Sequence, residues 1–101
     1  MIVYNITMQV SWAVHVAWRQ WLADEYLPAI LATGLFTHYQ LVRVMEVDEE
    51  EGATYAMQLY SSDIQTFREF RNSHLPGLQN IERNLWGDNV FSFNSLMEVI
   101  N

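Results

Sequence analysis

Polar and apolar residues alternate from the first position. Ile2, Tyr4, Ile6, Met8 and Val10 fall on one face of an extended segment, and Val3, Asn5, Thr7 and Gln9 on the other. A period of two over residues 2–10 predicts a strand with one apolar and one mixed face. The period then changes. Ser11 can cap a helix beginning near Trp12, and Val14, Ala17, Trp18, Trp21 and Leu22 recur at spacings of three and four, an amphipathic stripe. Pro28 lacks an amide and crowds the carbonyl four residues back, so a kink or restart is expected there. Gly34 follows as the helix stop.

Leu35 to Val47 reads as a long extended run with two mixed faces, Phe36, His38, Gln40, Val42 and Val44 against Thr37, Tyr39, Leu41, Arg43 and Met45. Four acids and a glycine, Asp48 to Gly52, make a solvated hairpin loop. Thr54 to Ser61 is the returning strand, paired antiparallel with the run before it. Ser61 or Ser62 can cap a second helix, whose stripe is Phe67, Phe70, His74, Leu78, Ile81 and Leu85. Pro76-Gly77 divides it into two pieces. Trp86-Gly87-Asp88-Asn89 turns the chain into a last strand, Val90 to Ile100. In that strand Phe91, Phe93, Met97 and Val99 share one face, and Ser92, Asn94, Leu96 and Glu98 the other.

The order β-α-β-β-α-β predicts an α+β, ferredoxin-like fold: a four-stranded antiparallel sheet with both helices on one face. The 101 residues suit a single domain, 1–101. Leu27-Pro28 late in the first helical region and Leu75-Pro76 in the second form a faint echo of pseudo-symmetry.

Two helices cover one sheet face, and half the residues are hydrophobic. Val3, Val42, Val44, Leu96 and Tyr60, beside Asn5, Thr7, Gln40, Gln58, Ser92 and Asn94, are expected on the open face. That mixture is too apolar for plain solvation, and a two-fold pairing of sheets into a homodimer would bury it.

Charge narrows the partners. Twelve acids face five arginines and no lysine, a net charge of −7, and the arginines are scattered. This excludes the basic footprint of a nucleic-acid binder and disfavours an anionic membrane surface. No 18-residue apolar window occurs, and MIVYNITMQV lacks the basic and apolar regions of a secretory signal, so a cytoplasmic location is expected. Without cysteine there is no disulfide, thiolate or cysteine-zinc chemistry.

Candidate chemistry is sparse. His15, His38 and His74 stand at no metal-ligand spacing, so no metal site is predicted. His74, His38 and Glu25 are the candidates for acid–base work, Glu25 because it sits one turn beyond Trp21 and Leu22 in the apolar stripe. Trp18, Trp21, Tyr26, Arg43 and Tyr60 are the candidates for ligand contact, the rings for a flat apolar guest and Arg43 for an anion. Core packing of the rings and a satisfied histidine are the plain alternatives. The four glycines are isolated turn signals and form no phosphate loop.

The chain resembles the family DUF4286 of Bacteroidetes-type bacteria over nearly its whole length. The likeness rests on the MIVYNIT opening, Trp18, Trp21, Leu27-Pro28, Leu31-Ala32-Thr33-Gly34-Leu35-Phe36, Asp48 to Gly52 with Thr54-Tyr55, His74, Pro76 and Leu96-Met97-Glu98-Val99-Ile100. The resemblance implies the dimeric α/β-barrel group of ferredoxin-like domains, in which two sheets pack face to face. Some of that group are small monooxygenases or haem-degrading enzymes, and others bind small molecules. The family commonly carries a histidine where this chain has Tyr26, a departure that counts against histidine chemistry there. Three functions compete: a homodimer binding a small apolar or aromatic molecule, a cofactor-free or haem-dependent monooxygenase-like enzyme, and a structural or regulatory interaction domain. The sequence fixes no cofactor.

Overall fold

The computed structural model describes all residues, 1–101. Strand β1 (Ile2–Ser11) leads through a turn into α1 (His15–Trp21), a π turn (Leu22–Tyr26) and α2 (Leu27–Ala32). Strands β2 (His38–Arg43) and β3 (Gly52–Ser61) form the hairpin. Helices α3 (Ile64–Ser73) and α4 (Leu75–Trp86), then a short 3₁₀ turn (Gly87–Asn89), precede β4 (Val90–Glu98). The sheet order is β2-β3-β1-β4, and every neighbouring pair is antiparallel. This is the ferredoxin-like arrangement expected from the element order.

Several starts and stops differ from the sequence reading. Ser11 ends β1 and only braces the turn, where its Oγ accepts from the Ala13 amide at 3.4 Å, and α1 begins three residues after Trp12. The cap of α3 is Asp63, whose Oδ1 accepts from the Thr66 amide at 2.8 Å, and neither Ser61 nor Ser62 takes that role. Ser61 is wholly buried and donates to the Asp63 carbonyl. The extended run closes early: β2 ends at Arg43, and Glu46 takes a φ of 58°. Gly34 stops the first helical region at a φ of 74°, as expected of glycine.

The π turn has a geometric cause. Trp18, Leu22, Tyr26 and Ile30 are all buried and lie four residues apart. A straight α-helix turns about 100° per residue, so three such steps would carry Ile30 about 120° around from Trp18. The underwound turn, closed by the Leu27 amide on the Leu22 carbonyl, takes back part of that drift. It falls just before Pro28, where a missing amide leaves a carbonyl one turn back without its usual donor.

The core lies between the inner faces of β1 and β3 and helices α1 to α3. It holds Tyr4, Ile6, Met8, Val10, Tyr55, Met57 and Leu59 from the sheet, and Trp18, Leu22, Ile30, Phe67 and Phe70 from the helices. Helix α4 is different, for none of its residues is buried. Leu75, Leu78 and Trp86 lean on the core, while Ile81 and Leu85 are exposed.

Strand β4 inverts one expectation. Its register sets Met8 opposite Ser92, Ile6 opposite Asn94 and Tyr4 opposite Leu96. Ser92, Asn94 and Leu96 therefore lie on the helix side, and Phe91, Phe93 and Met97 join Val3, Thr7 and Gln9 on the open face. Opposite residues in an antiparallel pair share a face, so β1 alone decides the question.

Candidate functional site

Because α4 stands off the sheet, the helical layer has an opening on each side of it. On the α2 side, Trp21, Tyr26, Ala29, Ile81, Leu85 and Trp86 line an apolar slot of about 470 Å³, with Glu25 on its rim. Trp21 stacks on Tyr26 at 4.5 Å between ring centroids and meets the edge of Trp86 at 5.5 Å. The π turn sets Tyr26 inward beside Trp21. The Trp86 Nε1 is buried and has no hydrogen-bond partner.

On the β4 side is a more polar cleft of about 400 Å³. Gln79, Glu82 and Arg83 of α4 face Ser92 and Asn94 of β4 across it, with Asp88 at its end. Glu82 joins the two openings. It lines the polar cleft, and its Oε2 accepts a hydrogen bond of 3.3 Å from the Tyr26 hydroxyl, whose ring lines the slot. Burial raises the Glu82 carboxyl above the ordinary range, and the Tyr26 bond opposes this in part. Burial and then the Glu82 charge push the Tyr26 phenol far upward, so it stays protonated and remains the donor.

The residues singled out from sequence are dispersed. Trp21 and Tyr26 meet in the slot. Trp18 is fully buried in the core against Tyr55, 5.4 Å away, and touches neither opening. Glu25 is exposed, since the inward places of its turn are taken by Leu22 and Tyr26. His38 and Tyr60 stack at 4.1 Å on the open sheet face, where the Tyr60 hydroxyl donates to Gln58. His74 sits half-buried at the break between α3 and α4, against Phe70 at 6.2 Å. Arg43 is held by Glu49 at 2.7 Å, with its guanidinium 5.9 Å from the Trp12 ring. His15 lies 2.7 Å from the Tyr55 hydroxyl, and burial together with Arg19 lowers its pKa. No three His, Asp or Glu side chains gather where a metal could be held, and neither His38 nor His74 lines the two openings as an axial haem ligand would.

Sequence reasoning, which counted Trp86 among the rings for a flat ligand, missed Glu82, Ser92 and Asn94 as cleft residues. The available signal was Glu82 itself, a carboxylate four residues after Leu78 and beside Ile81 on the second helical stripe. An acid at the margin of an apolar stripe is the place to look for a perturbed pKa.

The open sheet face completes the surface. Phe91 and Phe93 are 63% and 55% exposed there, 6.3 Å apart, beside the more sheltered Val3 and Ala56.

Fold and layering define a ferredoxin-like α+β domain with one uncovered sheet face. The family profile of the domain of unknown function DUF4286 matches residues 1–100, and the chain belongs to that family. Solved structures share the fold at low identity. An ethyl tert-butyl ether d (EthD) family protein from Bacillus halodurans aligns with a TM-score of 0.73 at 12% identity, over 99% of this chain and all of that one. A mutant of SnoaB, a cofactor-independent oxygenase from Streptomyces nogalater, aligns at 0.68 and 14%, over 99% and 94%. A dimeric ferredoxin-like protein from an uncultured marine organism aligns at 0.59 and 10%, over 99% and 95%. No curated protein matches the chain. No helix is long and apolar enough to cross a membrane.

Proposed function

We propose that the chain acts as one domain, pairs with a second copy through its open sheet face, and binds a small apolar or aromatic molecule in the slot beside α4. The slot carries this reading. Trp21, Tyr26 and Trp86 present ring faces and edges to a space of about 470 Å³, within the usual size of small-molecule sites. Aromatic walls favour a flat guest through offset and edge contacts. The exposed Phe91 and Phe93 support the pairing, as does the dimeric description of a structural neighbour.

Native mass spectrometry of the protein purified from its own host tests both parts. The expected result is a dimer carrying a reproducible small adduct, lost from a Trp21→Ala variant. A monomer would overturn the pairing. A dimer with no adduct, and no shift in tryptophan fluorescence on titration with naphthalene or indole, would overturn the slot.

A further inference from the structure

We propose that the cleft between α4 and β4 is a proton-transfer site, in which Glu82 takes a proton from a small enolisable carbonyl compound and returns it to another atom of the same molecule.

Three observations carry this. Glu82 lines a cleft of about 400 Å³ that opens to solvent, so a small substrate can reach it. Its carboxylate has one hydrogen-bond partner, the Tyr26 hydroxyl on Oε2 at 3.3 Å, and no ion pair. A carboxylate offers about four acceptor positions, so most of its capacity is unused. The cleft also carries donors: the Asn94 amide and Ser92 hydroxyl from β4, and the Arg83 guanidinium from α4. A carbonyl oxygen that gains negative charge on enolisation is stabilised by such donors.

The chemistry balances within one molecule. The C–H bond beside the carbonyl breaks, and its proton forms an O–H bond on Glu82. The electron pair makes a carbon–carbon double bond, and the carbonyl π pair moves to oxygen. Glu82 then gives the proton to that oxygen, yielding the enol, or returns it to carbon. No oxidant or co-reactant is consumed. Tyr26, kept protonated by its burial, holds the carboxylate in orientation and acts as a positioning residue. The charged and titratable groups about Glu82 are Tyr4 from β1, Tyr26 from the π turn, Arg83 from α4 and Asp88 from the turn before β4. Its raised pKa makes Glu82 a stronger base than a solvated carboxylate.

The test is exchange of the α-protons of phenylpyruvate and of benzoylacetone in deuterated buffer, followed by proton NMR with the full chain. Wild-type protein is expected to accelerate exchange of at least one probe. Glu82→Gln should lower that acceleration by about 10²-fold or more, the range of positioned acid–base groups, through kcat rather than KM. Wild type should show a rising pH limb centred above the ordinary glutamate range, absent from Glu82→Gln. Glu69→Gln, on the exposed side of α3, should match wild type. Circular dichroism confirms that each variant is folded, and Glu82→Asp gives a second, charge-preserving variant that should retain the limb at a reduced rate. No acceleration by wild type, or a Glu82→Gln variant with wild-type rate and pH limb, would overturn the proposal.

Discussion

Replacing Phe91 and Phe93 together by serine removes the two most exposed rings of the open sheet face and leaves the core untouched. With relative exposures of 63% and 55%, on side chains of roughly 200 Å², the pair leaves roughly 240 Å² open per protomer. Burying that area on both copies is worth at most about 12 kcal/mol at about 25 cal/mol per Å². Association itself consumes much of such a sum, so the measured effect of truncation is the better guide. At about 2 kcal/mol for each ring at the centre of an interface, four rings amount to about 8 kcal/mol. A dimer of nanomolar dissociation constant would weaken to about millimolar. Analytical ultracentrifugation at about 10 µM, far below that constant, should find wild type as a dimer and the double variant as a monomer with an unchanged far-ultraviolet spectrum. A wild-type monomer, or a double variant that still sediments as a dimer, would refute the reasoning.

Glu82→Gln should stabilise the fold at neutral pH. The folded pKa lies above the unfolded value, so the native state binds the extra proton and the wild type gains stability as pH falls through the folded pKa. The advantage of the glutamine variant in thermal melts should therefore be greatest above the folded pKa and fade toward the unfolded one. Tyr26→Phe removes a bond that holds the Glu82 pKa down, so a carbon-13 titration of the Glu82 carboxyl should move to higher pH. Gly52→Ala places a Cβ into the Val10 carbonyl group, backbone that cannot turn aside. It should cost about 3 kcal/mol or more, read by urea denaturation. For Asp63, whose backbone and side-chain bonds with Thr66 lower its pKa, the capping contribution should be lost as pH falls through the folded value, and the Asp63→Asn variant should flatten that acid limb.

Much of the architecture was legible because local period and tertiary face agree. Tyr4 to Val10 alternate and bury as they alternate, and Gly34 and Pro76 punctuate the helices where their backbone limits dictate. The caps were less legible, because Ser11, Ser61, Ser62 and Asp63 are all competent acceptors and the entry angle of the chain chooses among them. The β4 faces were not legible at all. Phe91, Phe93 and Met97 look like an inward set, and only pairing with β1 shows that they point outward. The site followed the same rule. Trp21 was found from its stripe, but that stripe pointed to Glu25 where the wide turn buries Tyr26, and Glu82 matters because α4 stands off the sheet, a fact of packing that no local pattern records.

The wide turn at Leu22–Tyr26 holds one residue more than an ordinary helical turn would between the same ends. It amounts to a single-residue insertion that the helix has absorbed without moving either flank. Deleting Ala23, exposed on the outside of the turn, should let the segment close as regular α-helix, because eleven steps of about 100° leave Ile30 within about 20° of Trp18 and put Tyr26 four places from Trp21 on the same face. Chain length at this one place is thus decoupled from the fold, so a shortened sequence would keep both the architecture and the inward set of side chains.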